Sequence, residues 1–296
     1  MRLVLLFFCI VVAGVIAEIY REMHGFVISR CRIRSTKLSP DMPELKAVFL
    51  SDLHSKEYGA NNQELVEAIR KEQPDLILIG GDMLVGKPDI SFEKAAVFVE
   101  QLPQIATVWY ASGNHEQRMR RDPETYGEAF AQYKNRLQKA GVHFLIDENV
   151  RITHHGEGIC LGGLEVPEEC YGRTSRYELE KEEVTRRIGK APKDTFQILM
   201  AHPPEYVDIY RAWGADVILS GHLHGGIVRI PFLGAIFTPQ FRLFPKYSGG
   251  FYREGDTTIV VSKGLGTHTI NIRLFNPAEL VVLQIEGQKK EKQEGR

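Results

Sequence analysis

Five short apolar runs in this chain each break off into polar residues of one chemical type, which constrains the fold more than any other feature. Val48-Phe49-Leu50 runs into Ser51-Asp52-Leu53-His54, and Leu78-Ile79 into Gly80-Gly81-Asp82. Val108-Trp109-Tyr110 leads through Ala111 and Ser112 to Gly113-Asn114-His115-Glu116. Ile198-Leu199-Met200 runs into Ala201-His202, and Val217-Ile218-Leu219 into Ser220-Gly221-His222-Leu223-His224. Apolar runs this short, bounded by turn residues, are buried strands. In α/β sheets the carboxyl ends of the strands border the ligand crevice. The pattern therefore predicts that Asp52, His54, Asp82, Asn114, His202, His222 and His224 reach one rim.

Helical patterns separate these runs. Residues 62–72 put Leu65, Val66 and Ile69 on one face, with Asn62 as N-cap and Pro74 as the stop. Further helices are expected at 91–102, at 124–140 with Gly141 at the end, and at 177–188. Strands are expected at 26–34, 106–111, 159–164 and 258–262. Alternation of this kind describes an α/β sheet covered by helices.

The seven rim residues are oxygen and imidazole donors with no thiolate, a set suited to Mn²⁺, Fe, Zn²⁺ or Co²⁺. Seven ligands are too many for one open catalytic ion and enough for two. In Asp-x-His and His-x-His, residues i and i+2 of an extended segment share a side, so each pair is expected to converge. The nearby glycines are expected to supply tight turns. Each motif alone has a structural reading, as a turn or a loop. All five in order, each at a strand end, do not.

The motifs D-x-H, G-D, G-N-H-[ED], H and G-H-x-H resemble those of the calcineurin-like metallophosphoesterases, and the resemblance covers residues 45 to about 285. It implies a four-layer α/β/β/α sandwich of two mixed sheets with two divalent metal ions at the strand ends. It also implies that Asp52, His54, Asp82 and His224 hold one metal, and that Asp82, Asn114, His202 and His222 hold the other. His115 would stabilise the transition state or protonate the leaving oxygen, with Glu116 or a nearby acid orienting it. The implied reaction is hydrolysis of a phosphate ester by in-line attack of a metal-bridging hydroxide. The alternatives are a phosphomonoesterase on a soluble substrate and a non-catalytic scaffold of the same fold. The scaffold is disfavoured because every ligand position is filled.

Composition adds boundaries. Lys and Arg number 37 against 38 Asp and Glu, a net charge of −1, which excludes a nucleic-acid coat. The four cysteines form no CxxC pair and read as free thiols. Residues 3–17 carry no charge. As a helix they cover roughly 22 Å, short of a hydrocarbon core of ~30 Å. Ile19 and Tyr20 extend the apolar character, and Arg2 and Arg21 can snorkel. The rival readings are a cleaved signal ending at Val15-Ile16-Ala17 and a buried core helix. Arg21, Arg30, Arg32, Arg34 and Lys37 follow the segment. By the positive-inside rule they favour a single-pass anchor in the cell membrane with a cytoplasmic catalytic domain, the alternative being export after cleavage. The expected division is an anchor or signal-like segment at 1–20, the catalytic domain at 21–286 and a disordered tail at 287–296. More narrowly, the chain resembles small bacterial membrane-associated members of the family. Its oligomeric state is not readable.

Substrate class rests on less. The apolar stretch 230–237, continuing through Phe241, Leu243 and Phe244, starts four residues after Gly226, with Arg242, Lys246 and Tyr247 beside it. Near the metals it would suit a lipid-type ester. It serves equally well as packing beneath the second sheet. The expected substrate is a phosphodiester or pyrophosphate that is lipid-type or nucleotide-linked. His154-His155 is expected in a solvated loop. His268 and Arg273 are weaker candidates for the phosphate side.

Overall fold

The computed structural model describes residues 1–172, 177–226, 228–230, 234–237, 244–267 and 271–289. His268, Phe241, Arg242, Leu243 and most of the expected tail lie outside them. The strands are β1 (Phe26–Ser35), β2 (Leu45–Leu50), β3 (Leu76–Ile79), β4 (Thr107–Ala111), β5 (Val142–Leu145), β6 (Glu148–His154) and β7 (Glu157–Leu164). They continue with β8 (Phe196–Ala201), β9 (Val217–Ser220), β10 (Val228–Ile230), β11 (Gly234–Phe237), β12 (Gly250–Glu254), β13 (Thr257–Val261) and β14 (Ala278–Gly287). The helices are α1 (Arg2–His24), α2 (Gln63–Glu72), α3 (Glu93–Val99), α4 (Asn114–Arg121), α5 (Pro123–Tyr126), α6 (Ala129–Ala140), α7 (Lys181–Ile188) and α8 (Val207–Trp213).

Two six-stranded mixed sheets form, in the orders β1-β14-β2-β3-β4-β5 and β12-β13-β9-β8-β7-β6. Side chains alternate across each strand, so one strand feeds two cores. From β2 and β3, Ala47, Phe49, Leu76 and Leu78 face the second sheet and pack with Ile198, Met200, Leu219 and Val260. Val48, Leu50, Ile77 and Ile79 face outward onto Leu65 of α2, Phe98 of α3 and Leu137 of α6. Leu199, Ile218 and Ile259 of the second sheet face Val184 of α7 and Trp213 of α8. These three cores make the four layers α/β/β/α. They also explain why the runs are apolar without a break: strands covered on both faces have no polar side to show.

Several elements differ in detail from expectation. Asn62 precedes α2 but does not cap it. Its backbone is left-handed (φ 60°), and its side chain accepts from Tyr58 N–H and donates to Lys56 O, closing the preceding loop. The expected helix at 91–102 is limited to α3, followed by a single 3-10 turn at Leu102–Gln104. That at 124–140 is split into α5 and α6 at Gly127, whose φ is 54°. The region 177–188 is helical only over α7.

The N-terminal helix is longer than the uncharged run suggested. Its 23 residues give about 34 Å, enough for a hydrocarbon core of ~30 Å. None of its apolar window is buried, which excludes a core helix. By length and composition it is able to cross a membrane. Its last turn touches the domain: buried Glu22 accepts the Asn276 N–H at 2.9 Å. β1 follows after Gly25 alone and pairs in parallel with β14, Phe26 opposite Ala278.

Candidate metal centre

Register sets the site. Leu50 of β2 lies opposite Ile79 of β3, and Ile79 opposite Tyr110 of β4, so three parallel strands stop at one level. In the second sheet Met200 of β8 lies opposite Leu219 of β9. Loops leaving these ends tie to one another. Asp52 N–H donates to Gly81 O and His54 N–H to Asp82 O, both at 3.0 Å, and Gly221 N–H donates to His202 O at 2.9 Å.

The turns differ from the extended geometry expected of Asp-x-His and His-x-His. Asp52, His54, Asp82, His222 and His224 all have positive φ, between 48° and 69°. Left-handed backbone is costly for residues with a Cβ, and its concentration here marks a constrained site. The pairs converge because each residue is turned, not because alternate residues of a strand share a side. The glycines also divide by role. Gly81 takes φ 97°. Gly113 and Gly221 have ordinary φ and serve by lacking a Cβ, which would overlap the Asp82 and Asp52 carboxylates.

All seven expected ligands come to the rim, and six of them fall into two groups. Asp52, His54 and His224 place one ligand atom each within 4.8 Å of one another, and Asp82, His202 and His222 do the same. His54 Nε2 faces His224 Nε2 at 3.1 Å, and His224 Nε2 lies 3.3 Å from Asp52 Oδ1. Asp82 Oδ2 lies between the groups, 3.1 Å from His202 Nε2 and 3.8 Å from His54 Nε2. Asn114 enters as the first residue of α4, and its Oδ1 is buried with no hydrogen-bond partner. His202 Nε2 likewise has no assigned hydrogen bond, although Asp82 Oδ2 lies 3.1 Å away. Buried polar atoms left unpaired are costly and call for an unseen partner. His202 Nδ1 is 2.7 Å from Gly80 O and donates there, so in the neutral imidazole a metal requires, Nε2 carries the lone pair.

Electrostatics points the same way. Burial would lower the His202 imidazole, but the Asp82 and Asp52 carboxylates outweigh it and push it up to about 10. Burial would raise Asp82, yet the imidazoles of His202, His115 and His54 hold its carboxyl well below the usual range. Asp52 is pushed up, chiefly by burial. The pocket favours positive charge at its centre, and the nitrogen and oxygen donors with unpaired buried atoms fit divalent metal ions.

His115 is close enough to His54 and Asp82 to form a third group of possible ligands. Its Nδ1 accepts the Gly86 N–H at 2.7 Å. The neutral imidazole must therefore carry its proton on Nε2, 4.0 Å from Asp82 Oδ2. That makes Nε2 a donor and not a metal ligand.

Glu116 does not take the orienting role expected of it. Its buried carboxylate accepts from the backbone N–H groups of Asp82, Met83 and Gly113 and from the Tyr110 hydroxyl, at 2.8–3.0 Å. It binds the β3 and β4 loops together. Burial, with the Asp82 charge, pushes it up to about 7. Arg273 is neither a phosphate contact nor a surface charge. It is 2% exposed and donates to the carbonyls of Asn276, Lys263, Gly264 and Gly266. Two further residues carried no motif. Tyr171 stands edge-on to His222, ring centroids 5.1 Å apart, while α7, further along the chain, covers the outer layer. Asn276 Nδ2 donates to the carbonyls of His224 and Gly226, both at 2.7 Å.

Residues 45–226 match the model of the calcineurin-like phosphoesterase family. The chain is 26% identical over 271 residues to the metallophosphoesterase YkuE of Bacillus subtilis, covering 90% of this chain and 88% of that one. It is 23% identical to the phosphodiesterase YaeI of Escherichia coli, with 90% of each covered. It is 28% identical to a bovine transmembrane protein with a metallophosphoesterase domain, over 84% of this chain and 55% of the relative. A match across the strands that carry five of the ligand-bearing loops leaves one conclusion: this chain belongs to the calcineurin-like phosphoesterase family and is a metal-dependent hydrolase of phosphate esters.

Proposed function

We propose that this chain hydrolyses a phosphodiester or pyrophosphate of a lipid-type or nucleotide-linked substrate at a two-metal centre. In this reading Asp52, His54, Asp82 and His224 hold one ion, and Asp82, Asn114, His202 and His222 the other. The observation that carries it is the position of Asp82 Oδ2 between the two ligand groups. Two divalent ions supply charge to neutralise a phosphoryl group and to make water nucleophilic at neutral pH. The protein's own part is to hold the donors. Ser51 Oγ donates to Asp52 Oδ2 at 2.6 Å and His222 N–H to Asp52 Oδ1 at 3.0 Å, which fixes that carboxylate. Asp82 Oδ1 accepts the His115 N–H at 2.8 Å, leaving Oδ2 for the centre. His115 Nε2–H then faces the same space as a proton donor to the leaving oxygen.

The diester preference is supported by the likeness to YaeI, whose name is phosphodiesterase. The lipid-type preference is supported by α1, read as a single-pass anchor in the cell membrane with the catalytic domain on the cytoplasmic side. The test is an assay of membrane-purified protein on an aryl phosphodiester, an aryl monoester and a lipid pyrophosphate. Chelator should abolish hydrolysis and Mn²⁺ should restore it. Asp82→Ala should lower kcat by about 10³-fold or more, the scale of losing preorganised charge stabilisation. Retained activity in chelator, or in Asp82→Ala, would defeat the two-metal reading. Preference for the monoester would defeat the diester reading.

A further inference from the structure

Outside α1, Ile90, Ile230, Phe244, Phe251, Ile272 and Phe275 are the large apolar side chains the described residues expose most, at 40–65%. Three of them gather in one place, with Phe244 beside it. Ile230, Phe251 and Phe275 line one cleft of 440 Å³ with Pro245 and Lys246. Phe244 N–H donates to Ile236 O of β11, and Arg229 N–H of β10 donates to Leu274 O. The paired strands β10 and β11, residues 244–251 and the 271–276 segment thus adjoin one another. A cluster of exposed aromatic and aliphatic side chains on one face marks an interaction site.

The end of α1 identifies what covers it. Glu22 is 2% exposed and accepts the N–H of Asn276, the residue after Phe275. Gly25 alone separates α1 from β1, whose pairing with β14 begins at Phe26. The helix has no free linker on which to swing away from the domain. From Ala17, the last residue of the uncharged run, to Glu22 the axis rises only about 7.5 Å. The polar interfacial layer on each side of a bilayer is roughly 5–8 Å thick. A core of ~30 Å takes about 20 helical residues, so a span that begins at Leu3 ends at Glu22, which places Glu22 and Asn276 where hydrocarbon meets headgroups, with Phe275 beside them.

We infer that the face formed by Ile230, Phe244, Phe251 and Phe275 rests on the lipid bilayer next to α1, as a second membrane contact of the catalytic domain. The inference rests on reading α1 as a membrane segment. Aromatic side chains suit the boundary between headgroups and acyl chains, and Lys246, paired with Glu254 at 2.9 Å, borders the face. The contact also sets where the metal centre stands. Asn276, held by Glu22 through its N–H, holds the His224 and Gly226 carbonyls through its side chain. One residue therefore joins the membrane tether to the loop that carries His224.

The test uses the full chain in vesicles with and without lipids brominated on the acyl chains, which quench nearby tryptophan. Phe251→Trp and Phe275→Trp report the face, and Phe7→Trp reports α1. The wild-type chain corrects for Trp109 and Trp213. The expected result is loss of the added emission in all three variants as brominated lipid rises, with wild-type emission unchanged. Quenching of Phe7→Trp alone would overturn the docking face and leave the anchor standing. No quenching of Phe7→Trp would overturn both. Emission at Phe251→Trp and Phe275→Trp that follows protein density and ignores bromination would make the face a contact between copies, and would also overturn the inference.

Discussion

At the residue scale the donors proposed to hold metal are distinct from the groups that position those donors. His115 tests the distinction, because distance alone would admit it as a ligand with His54 and Asp82. The Gly86 N–H on its Nδ1 decides otherwise, since a proton must then occupy Nε2. His115→Asn should lower kcat about 10²- to 10⁴-fold, the range of a lost general acid. Metal content by elemental analysis should equal wild type. Loss of a metal ion would return His115 to the ligand set. The residue types of the ligands were legible because each stands alone at the end of an apolar run, where packing gives Asp, Asn or His little use. Their supports were not legible. Glu116 sits inside a motif, yet its bonds to Asp82 and Met83 span 34 and 33 positions of sequence. Arg273 looks like any strand cation until its four carbonyl partners are brought around it. Tyr171 lies in a segment whose composition carries no signal.

At the element scale, the loop after β3 is the tightest junction of the fold. A Cβ on Gly81 would overlap the backbone N of Gly113, and φ 97° is already outside the range of L-residues. Neither atom belongs to a flexible side chain, so β3 and β4 would have to part. Gly81→Ala should cost about 3 kcal/mol or more and displace Asp82 from the centre. Gly127→Ala is the control. Its φ of 54° with ψ −135° is also a glycine conformation, but nothing lies within 4 Å, so it should cost only the backbone penalty, about 1–3 kcal/mol. Urea midpoints of the two variants should differ in that order; equal shifts would mean that the Gly81–Gly113 approach is not tight. Elements with an apolar run and a stop signal were legible close to their ends: β4 begins one residue after expectation, and Gly141 closes α6 with φ 103°. Helix starts were less so. Asn62 has the composition of an N-cap, but its side chain is spent on the loop before α2. Such competition between local bonds is invisible until the loop is closed.

At the scale of the whole molecule, the pairing of sheets is what a linear reading reaches least. The β1–β14 ladder joins residues about 250 positions apart, and strands buried on both faces give no period to say which side meets which layer. The motifs supplied the sandwich through family resemblance, and the three cores supply its physical cause. The same architecture splits the ligand set. Asp52, His54, Asp82 and Asn114 follow strands of one sheet, while His202, His222 and His224 follow strands of the other. In the proposed two-metal reading, metal held by both sets would cross-link the two sheets at their ends. Binding that occurs only in the folded state stabilises by mass action, about 2.7 kcal/mol at a free metal concentration of 100 Kd. At roughly 2–4 °C per kcal/mol for a domain of this size, Tm should rise about 5–10 °C when Mn²⁺ is added to chelated protein. Replacement of a ligand from either sheet should shrink the shift, so Asp52→Asn and His202→Gln are expected to behave alike. A shift that survives both, or that only one of them affects, would place the metal within a single sheet's loops. Scanning calorimetry of the two variants, each with and without Mn²⁺, measures the cross-link without reference to substrate.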